Sequence, residues 1–162
     1  MTHKSTCCFL EKNNSPDWIY GKINVVEENN ISVGIFPIRK IFQFGNVFFS
    51  KYLLNFFNFI PHQAVFIKKE IFEKFGKFDE TLKSWMDFDL WIRLKNKTSW
   101  IFFNQMICNY KIRQGSQSSG KINEDENKLN LKIVQKRYLN LLEFQIAKII
   151  NKFVDMVNTT QR

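Results

Sequence analysis

Two carboxylates one residue apart, Asp87 and Asp89, are the side chains of this sequence best suited to chemistry. They stand where a loop enters a short amphipathic helix, in the stretch FDETLKSWMDFDLWIRL over residues 78–94. A carboxylate at such a point can deprotonate a hydroxyl, bind a cation or cap the helix. Ser84 and Asp87 have the spacing of a capping box, and the helix dipole favours a negative charge there. The pattern alone therefore leaves these roles open, with capping as the simplest.

The segments around this helix alternate between strand and helix patterns, which predicts an α/β fold. Apolar alternation and short apolar runs predict strands over 17–27, 31–36, 64–67, 100–103 and 107–112, with a turn at 27–30. The segment over 42–59 is ambiguous, although Phe48, Tyr52 and Phe56 suit one face of a helix, and apolar residues at helical spacing predict a helix over 69–75, ended by Gly76. Asn123 with Glu126 has a capping-box pattern and predicts the start of a long helix to about Val157, after a flexible loop over 113–121. No glycine-rich phosphate loop follows the first strand.

Three segments, taken together, resemble the C-terminal half of a family 2 glycosyltransferase of the inverting GT-A class. They are DWIYG over 17–21, IPHQAVFIKKEIFEKFGKFDE over 60–80 running into MDFDLWIRL over 86–94, and YKIR over 110–113 followed by Ser116 and Ser118. The resemblance implies a partial GT-A-like mixed sheet with flanking helices, ending in a long C-terminal amphipathic helix. It divides the chain into an N-terminal extension over 1–16, the glycosyltransferase part over 17–119 and a helical extension over 120–162.

The activity that the resemblance implies is transfer of a sugar from a nucleotide-sugar donor to an acceptor hydroxyl, with inversion. This chemistry needs a base for the hydroxyl and positive charge for the departing diphosphate. By resemblance Asp87 is the candidate base, and Asp89 is its support or a second candidate. The acceptor would be a glycan or a lipid-linked sugar.

Further residues around the same segments are implied in substrate binding. His62 and Gln63 are expected to face the acceptor cleft, although a lone His is more often an ordinary core or surface residue. Trp85 and Trp91 can stack on a sugar ring, and packing in an aromatic core explains them equally well.

Lys111 and Arg113 are expected to hold the diphosphate. The family more often has Arg at the first of these positions and His at the second, so this chain keeps the positive charge with altered geometry.

The donor half of the family, with its Asp-x-Asp that holds Mg or Mn through the diphosphate, has no counterpart in the sequence before residue 17. Asp87-Phe88-Asp89 has that spacing but the wrong context, so no metal site is predicted within this chain. We therefore expect a truncated or split form, little active alone, whose partner would be a separate donor-binding half.

Charge and cysteine content bound the remaining possibilities. The net charge of +9, from 24 Lys and Arg against 15 Asp and Glu, suits anionic partners, but its even spread equally suits a solvated surface. No nucleic-acid motif is present, so nucleic acid is not an expected partner. Three cysteines without metal or disulfide spacing, and no apolar leader, predict a cytoplasmic location, with the inner face of the membrane as an alternative. A second function, a non-catalytic module, would dock on a partner or membrane surface through the C-terminal helix and its lysines, Lys132, Lys136, Lys148 and Lys152.

Overall fold

The computed structural model describes residues 11–26, 31–36, 47–111 and 124–160 of the 162-residue chain. Its strands are β1 Trp18–Val26, β2 Ser32–Phe36, β3 Val65–Ile67 and β4 Trp100–Lys111. Its helices are α1 Val47–Leu53, α2 Lys69–Phe75, α3 Met86–Leu94, α4 Glu124–Tyr138 and α5 Leu141–Thr160, with a 3₁₀ turn at His62–Ala64. The described residues thus confirm the predicted mixed α/β class.

Strand β1 is the centre of the sheet. It pairs in parallel with β4 along most of its length, from Trp18 opposite Trp100 to Val26 opposite Lys111. Its first residues pair antiparallel with β3 and its last residues pair antiparallel with β2. Since a strand has two edges, β2 and β3 lie end to end on the edge opposite β4. The sheet therefore contains both parallel and antiparallel pairs.

The two strands predicted over 100–103 and 107–112 form one strand, β4, with an irregular middle. Tyr20 lies opposite Phe102, whereas Lys22 lies opposite Met106. Between these two pairs β1 has only Gly21, while β4 has a longer stretch, so β4 forms a bulge there. A Cβ added to Gly21 would lie 2.3 Å from Ile107 Cγ1. The glycine therefore allows the bulged strand to approach β1 and stay paired beyond the bulge.

The core is built on a stack of three tryptophans from three different elements. The ring of Trp18 lies between Trp91 of α3 at 5.1 Å and Trp100 of β4 at 4.9 Å, at interplanar angles of 20° and 10°. The indole of Trp18 donates a hydrogen bond to Thr98 Oγ1 at 2.9 Å, which satisfies its buried N–H. Helix α3 is thus fixed against the sheet by aromatic packing, which sets the position of the two carboxylates at its start.

The helix predicted from Asn123 to about Val157 is wrong in one respect, because it is broken after Tyr138. Asn140 Oδ1 accepts a hydrogen bond from the Glu143 N–H at 2.9 Å, and Glu143 Oε2 accepts one from the Asn140 N–H at 3.0 Å. This reciprocal pair is a capping box that starts a new helix, α5. The fold therefore ends in two helices where one amphipathic helix was predicted.

Helix α4 belongs to the same core as the sheet. Its Val134 is fully buried in the cluster around the tryptophan stack. Helix α5 packs through a smaller cluster, in which Ala147 is buried with Phe56 and Leu139. None of the helices in the described part of the chain is long and apolar enough to cross a membrane.

The segment over 42–59, ambiguous in the sequence, forms helix α1 over Val47–Leu53. The predicted turn at 27–30 and the loop over 113–121 lie outside the described residues.

Candidate active site at the start of helix α3

The two carboxylates at the start of α3 face opposite sides of the helix. Residues two apart in an α-helix are separated by about 200° around its axis. Asp87 keeps a partly exposed side chain, 24% of its area, while Asp89 is only 2% exposed. The pair therefore cannot act on one substrate atom together, and the structure assigns them different surroundings.

Asp87 meets two side chains from the segment between α1 and β3. Asn58 Nδ2 donates a hydrogen bond to Asp87 Oδ2 at 3.0 Å, and His62 Nδ1 lies 3.6 Å from the same oxygen. The other oxygen, Oδ1, accepts a hydrogen bond from the Phe88 N–H at 2.8 Å. Asp87 thus satisfies one free N–H of the first helical turn and also faces a histidine that is 60% exposed.

These contacts decide the charge of Asp87. Burial raises the pKa of its carboxyl, but the contacts with His62, with Asn58 and with the Phe88 N–H together lower it by more, so the pKa lies below its ordinary value. The 3.6 Å contact with His62 is longer than a normal hydrogen bond and is better described as electrostatic. Asp87 is therefore a carboxylate at neutral pH.

His62 and Gln63 are placed by a short 3₁₀ turn. Pro61 precedes the turn with φ −72°, and the Val65 N–H closes it on the His62 carbonyl. The Cys108 thiol of β4 donates a hydrogen bond to the Gln63 carbonyl oxygen, with the sulfur 3.8 Å from that oxygen. The turn therefore rests on the sheet and holds His62 outward, towards Asp87, with the Gln63 side chain half-buried.

Asp89 is held inside the protein by two side chains of helix α4 and one of its own helix, α3. Its Oδ1 accepts hydrogen bonds from Tyr138 at 2.9 Å and from Arg137 Nη1 at 3.2 Å. Its Oδ2 pairs with Arg93 Nη2 at 3.3 Å. A carboxylate so enclosed by cations and a phenol anchors α4 to α3, and its geometry offers no oxygen to a substrate.

The Asp87-Phe88-Asp89 sequence does not fit a divalent cation. Mg and Mn need several oxygen ligands that converge on one point, whereas Asp89 is enclosed by Arg93 and Arg137. Within residues 11–26, 31–36, 47–111 and 124–160, no group of three or more His, Cys, Asp or Glu is arranged to hold a metal ion.

The two tryptophans predicted for sugar binding are placed differently. Trp91 is 2% exposed and stacked on Trp18, so its ring faces belong to the core and its proposed stacking on a sugar is wrong. Trp85 is half-buried, lies edge-on to Phe88, and donates its indole N–H to the Asn127 carbonyl at 3.1 Å.

Trp85 also carries backbone strain at the start of α3. Its φ of 65° is left-handed, a conformation that bulky residues rarely adopt. Such strain costs on the order of 1–3 kcal/mol and persists where surrounding contacts hold it. Among the described residues no side chain caps α3 at Trp85, so the predicted capping box of Ser84 with Asp87 does not form. Instead Ser84 Oγ accepts a hydrogen bond from Asn130 Nδ2 at 3.2 Å.

The predicted diphosphate ligands are only partly described. Lys111 is exposed at the last position of β4, three residues after Cys108, and therefore about 10 Å along the strand from the turn that bears Gln63. Arg113 lies outside the described residues.

Asn58 is the site residue that the sequence did not indicate. It lies in the mostly apolar segment over 42–59, yet it donates to Asp87, and its own Oδ1 is buried without a hydrogen-bond partner in the described residues. A polar residue at this place, three residues before Pro61, was the one available signal.

A search against models of known protein families found no match to this chain, and a search of curated proteins found none either.

Proposed function

We propose that this chain supplies the acceptor side of an inverting, family 2-like glycosyltransferase, with Asp87 as the base that receives the proton of the acceptor hydroxyl. The observation that carries the proposal is the contact between the side chains of Asp87 and His62. The resemblance implied a role for each residue separately, Asp87 as the base and His62 as part of the acceptor cleft. It did not imply that the two side chains are in contact. Their side chains lie 3.6 Å apart, and both are accessible to solvent.

The surroundings of Asp87 suit a base that acts only when substrate is bound. Free, the carboxylate is charged and its pKa is lowered by His62, Asn58 and the Phe88 N–H. An acceptor sugar that displaces the Asn58 or His62 contact removes an interaction that lowers the pKa, and it also excludes water. Both changes make the carboxylate a stronger base for the hydroxyl that now faces it.

Other parts of the reaction belong to groups beyond this site. Mg or Mn, the nucleotide and the diphosphate would be held by a donor-binding part, with Lys111 and Arg113 contributing positive charge from this chain. In this proposal Asp89 has a structural role, because its carboxylate is bound by Arg137 and Tyr138. Gln63 lies beside His62 and lines the same turn.

Amide ¹H–¹⁵N NMR of the purified chain tests this proposal. The probes are the methyl glycosides of glucose, galactose, mannose and N-acetylglucosamine, and separately UDP with Mg. We expect at least one glycoside to shift the amides of His62 and Phe88, and the shifts to disappear in Asp87→Asn. A matched control, Asp125→Asn, alters an exposed carboxylate of α4 and should leave the shifts unchanged.

Either of two results would contradict the proposal. One is a folded protein whose His62 and Phe88 amides do not respond to any of the four glycosides. The other is a response that Asp87→Asn and Asp125→Asn leave equally intact.

A further inference from the structure

The outward face of helix α5 is apolar where a surface helix is normally polar. Leu141, Leu142 and Ile149 are 78%, 71% and 70% exposed. At about 100° per residue, they fall with Gln145, Lys148 and Lys152 within one arc of about 120°. We define these six residues as the outer face of α5.

The opposite side of helix α5 packs against the rest of the protein. Ala147 is fully buried, and Phe144, Ile146 and Ile150 pack with it against Phe56 and Leu139. The capping box at Asn140 and Glu143 fixes the first turn. The three exposed apolar side chains are therefore not needed to hold α5 on the protein, and a helix apolar on both sides is one that a second surface covers.

The charges on this face indicate what that surface is. Lys148 and Lys152 are exposed on the same arc as the apolar residues. Glu143, the one acidic residue between positions 141 and 152, lies on the inner side, where its Oε1 accepts from Asn55 at 3.0 Å. The outer face is thus cationic and apolar with no acidic side chain over these twelve positions.

We propose that the outer face of α5 docks the protein on an anionic lipid surface, lying in the plane of the membrane interface. Leucine and isoleucine side chains on such a helix enter the interface by about 5–10 Å, while the flexible lysines keep their ammonium groups among the phosphates. A protein groove would have to bury those lysines among apolar residues, and a second copy would bring two faces of like charge together. The net charge of +9 over the chain favours the same anionic partner. This inference does not depend on the transferase proposal.

Co-sedimentation of the full chain with vesicles tests the docking. The vesicles are phosphatidylcholine alone, and phosphatidylcholine with an equal part of phosphatidylglycerol. We expect binding to the mixed vesicles, weakened by salt on the order of 1 M, where charges are screened beyond about 3 Å. The double change Leu142→Ser with Ile149→Ser should weaken binding by about tenfold or more, because both apolar side chains lose their transfer from water.

Two further variants separate the contributions. Lys148→Gln with Lys152→Gln should reduce binding to mixed vesicles and its salt dependence together. Ile35→Ser, which changes an apolar side chain of similar exposure, 51%, on strand β2, should bind like the unaltered protein. Thermal melting should show all variants folded, since none of the changed residues is buried.

Three results of the vesicle experiment would overturn the inference. They are no binding to either vesicle, equal binding to both vesicles, or binding that Leu142→Ser with Ile149→Ser and Ile35→Ser leave alike. A dimer in solution that the Leu142 and Ile149 changes dissolve would also overturn it, because it would assign the face to a second copy of the chain.

Discussion

Replacing each carboxylate of α3 by its amide should separate a structural role from a functional one. Asp89 is 2% exposed and contacts Arg137, Tyr138 and Arg93 at 2.9–3.3 Å. Removing one partner of a buried ion pair costs about 3–5 kcal/mol, because the other charge stays buried and unpaired. Arg137 and Arg93 are 39% and 21% exposed, and Arg137 keeps its 2.6 Å contact with Asp79, so we expect Asp89→Asn to lower the free energy of unfolding by about 3 kcal/mol, the low end of that range.

Asp87→Asn should cost far less stability. Its side chain is 24% exposed, so water replaces much of what is lost, and the amide oxygen still accepts from Asn58. A hydrogen bond of this kind contributes about 1 kcal/mol, so we expect the two variants to differ by about 2 kcal/mol.

Urea unfolding followed by tryptophan fluorescence measures both, because Trp91 of α3 lies in the stack of three tryptophans. A double variant, Asp89→Asn with Arg137→Gln, should cost less than the sum of the single changes, since both single changes remove the same contact between these two side chains. The structural role of Asp89 is refuted if Asp89→Asn costs less than about 1 kcal/mol, well below the cost of breaking a buried pair. It is equally refuted if Asp87→Asn is as destabilising as Asp89→Asn.

Two other predictions concern the sheet and a buried lysine. Gly21→Ala places a Cβ 2.3 Å from Ile107 Cγ1 and should cost about 1–3 kcal/mol of stability by overpacking. Gly34→Ala, whose Cβ meets no atom of the described residues within 4 Å, should be neutral or slightly stabilising. Equal urea midpoints for the two variants would contradict this prediction. Lys95 is 6% exposed, and burial, only partly offset by Glu143, lowers its pKa to about 8. The unfolded chain binds this proton to higher pH, so stability should rise between about pH 8 and pH 10 by about 2 kcal/mol after allowance for solvent screening. Lys95→Met should remove that rise, and a rise that survives in the variant would show that another group causes it.

Local patterns were enough for much of the fold. Helix α2 has the bounds that its apolar spacing predicted, and Gly76 ends it at φ 83°, with its N–H bonded to the Phe72 carbonyl. Strands β1 and β2 lie within a residue of the predicted ranges. These elements are set by their own residues, so a single sequence contains the information.

The sequence predictions were wrong where contacts with a neighbouring element determine the local structure. The apolar stripe of the C-terminal region continues across Asn140, so its periodicity did not show the break, although the Asn140 and Glu143 spacing was a capping signal in the sequence. Strand β4 stays continuous because β1 pairs with it on both sides of the bulge, which only Gly21 permits.

The site shows the same limit. Asp87 and Asp89 are almost equivalent in sequence, and what distinguishes them is Arg137 and Tyr138, 48 and 49 residues away. The burial of Trp91 against Trp18 likewise depends on tertiary contacts. A residue's type and spacing indicated the site, whereas the assignment of roles needed the partners.

The most direct test of the central claim is a crystal structure of the protein with the methyl glycoside that shifts the NMR spectrum most. We expect a sugar hydroxyl within about 2.6–3.2 Å of a carboxylate oxygen of Asp87, with the His62 or Asn58 contact displaced. A sugar bound elsewhere, with Asp87 still held by Asn58 and His62, would contradict it.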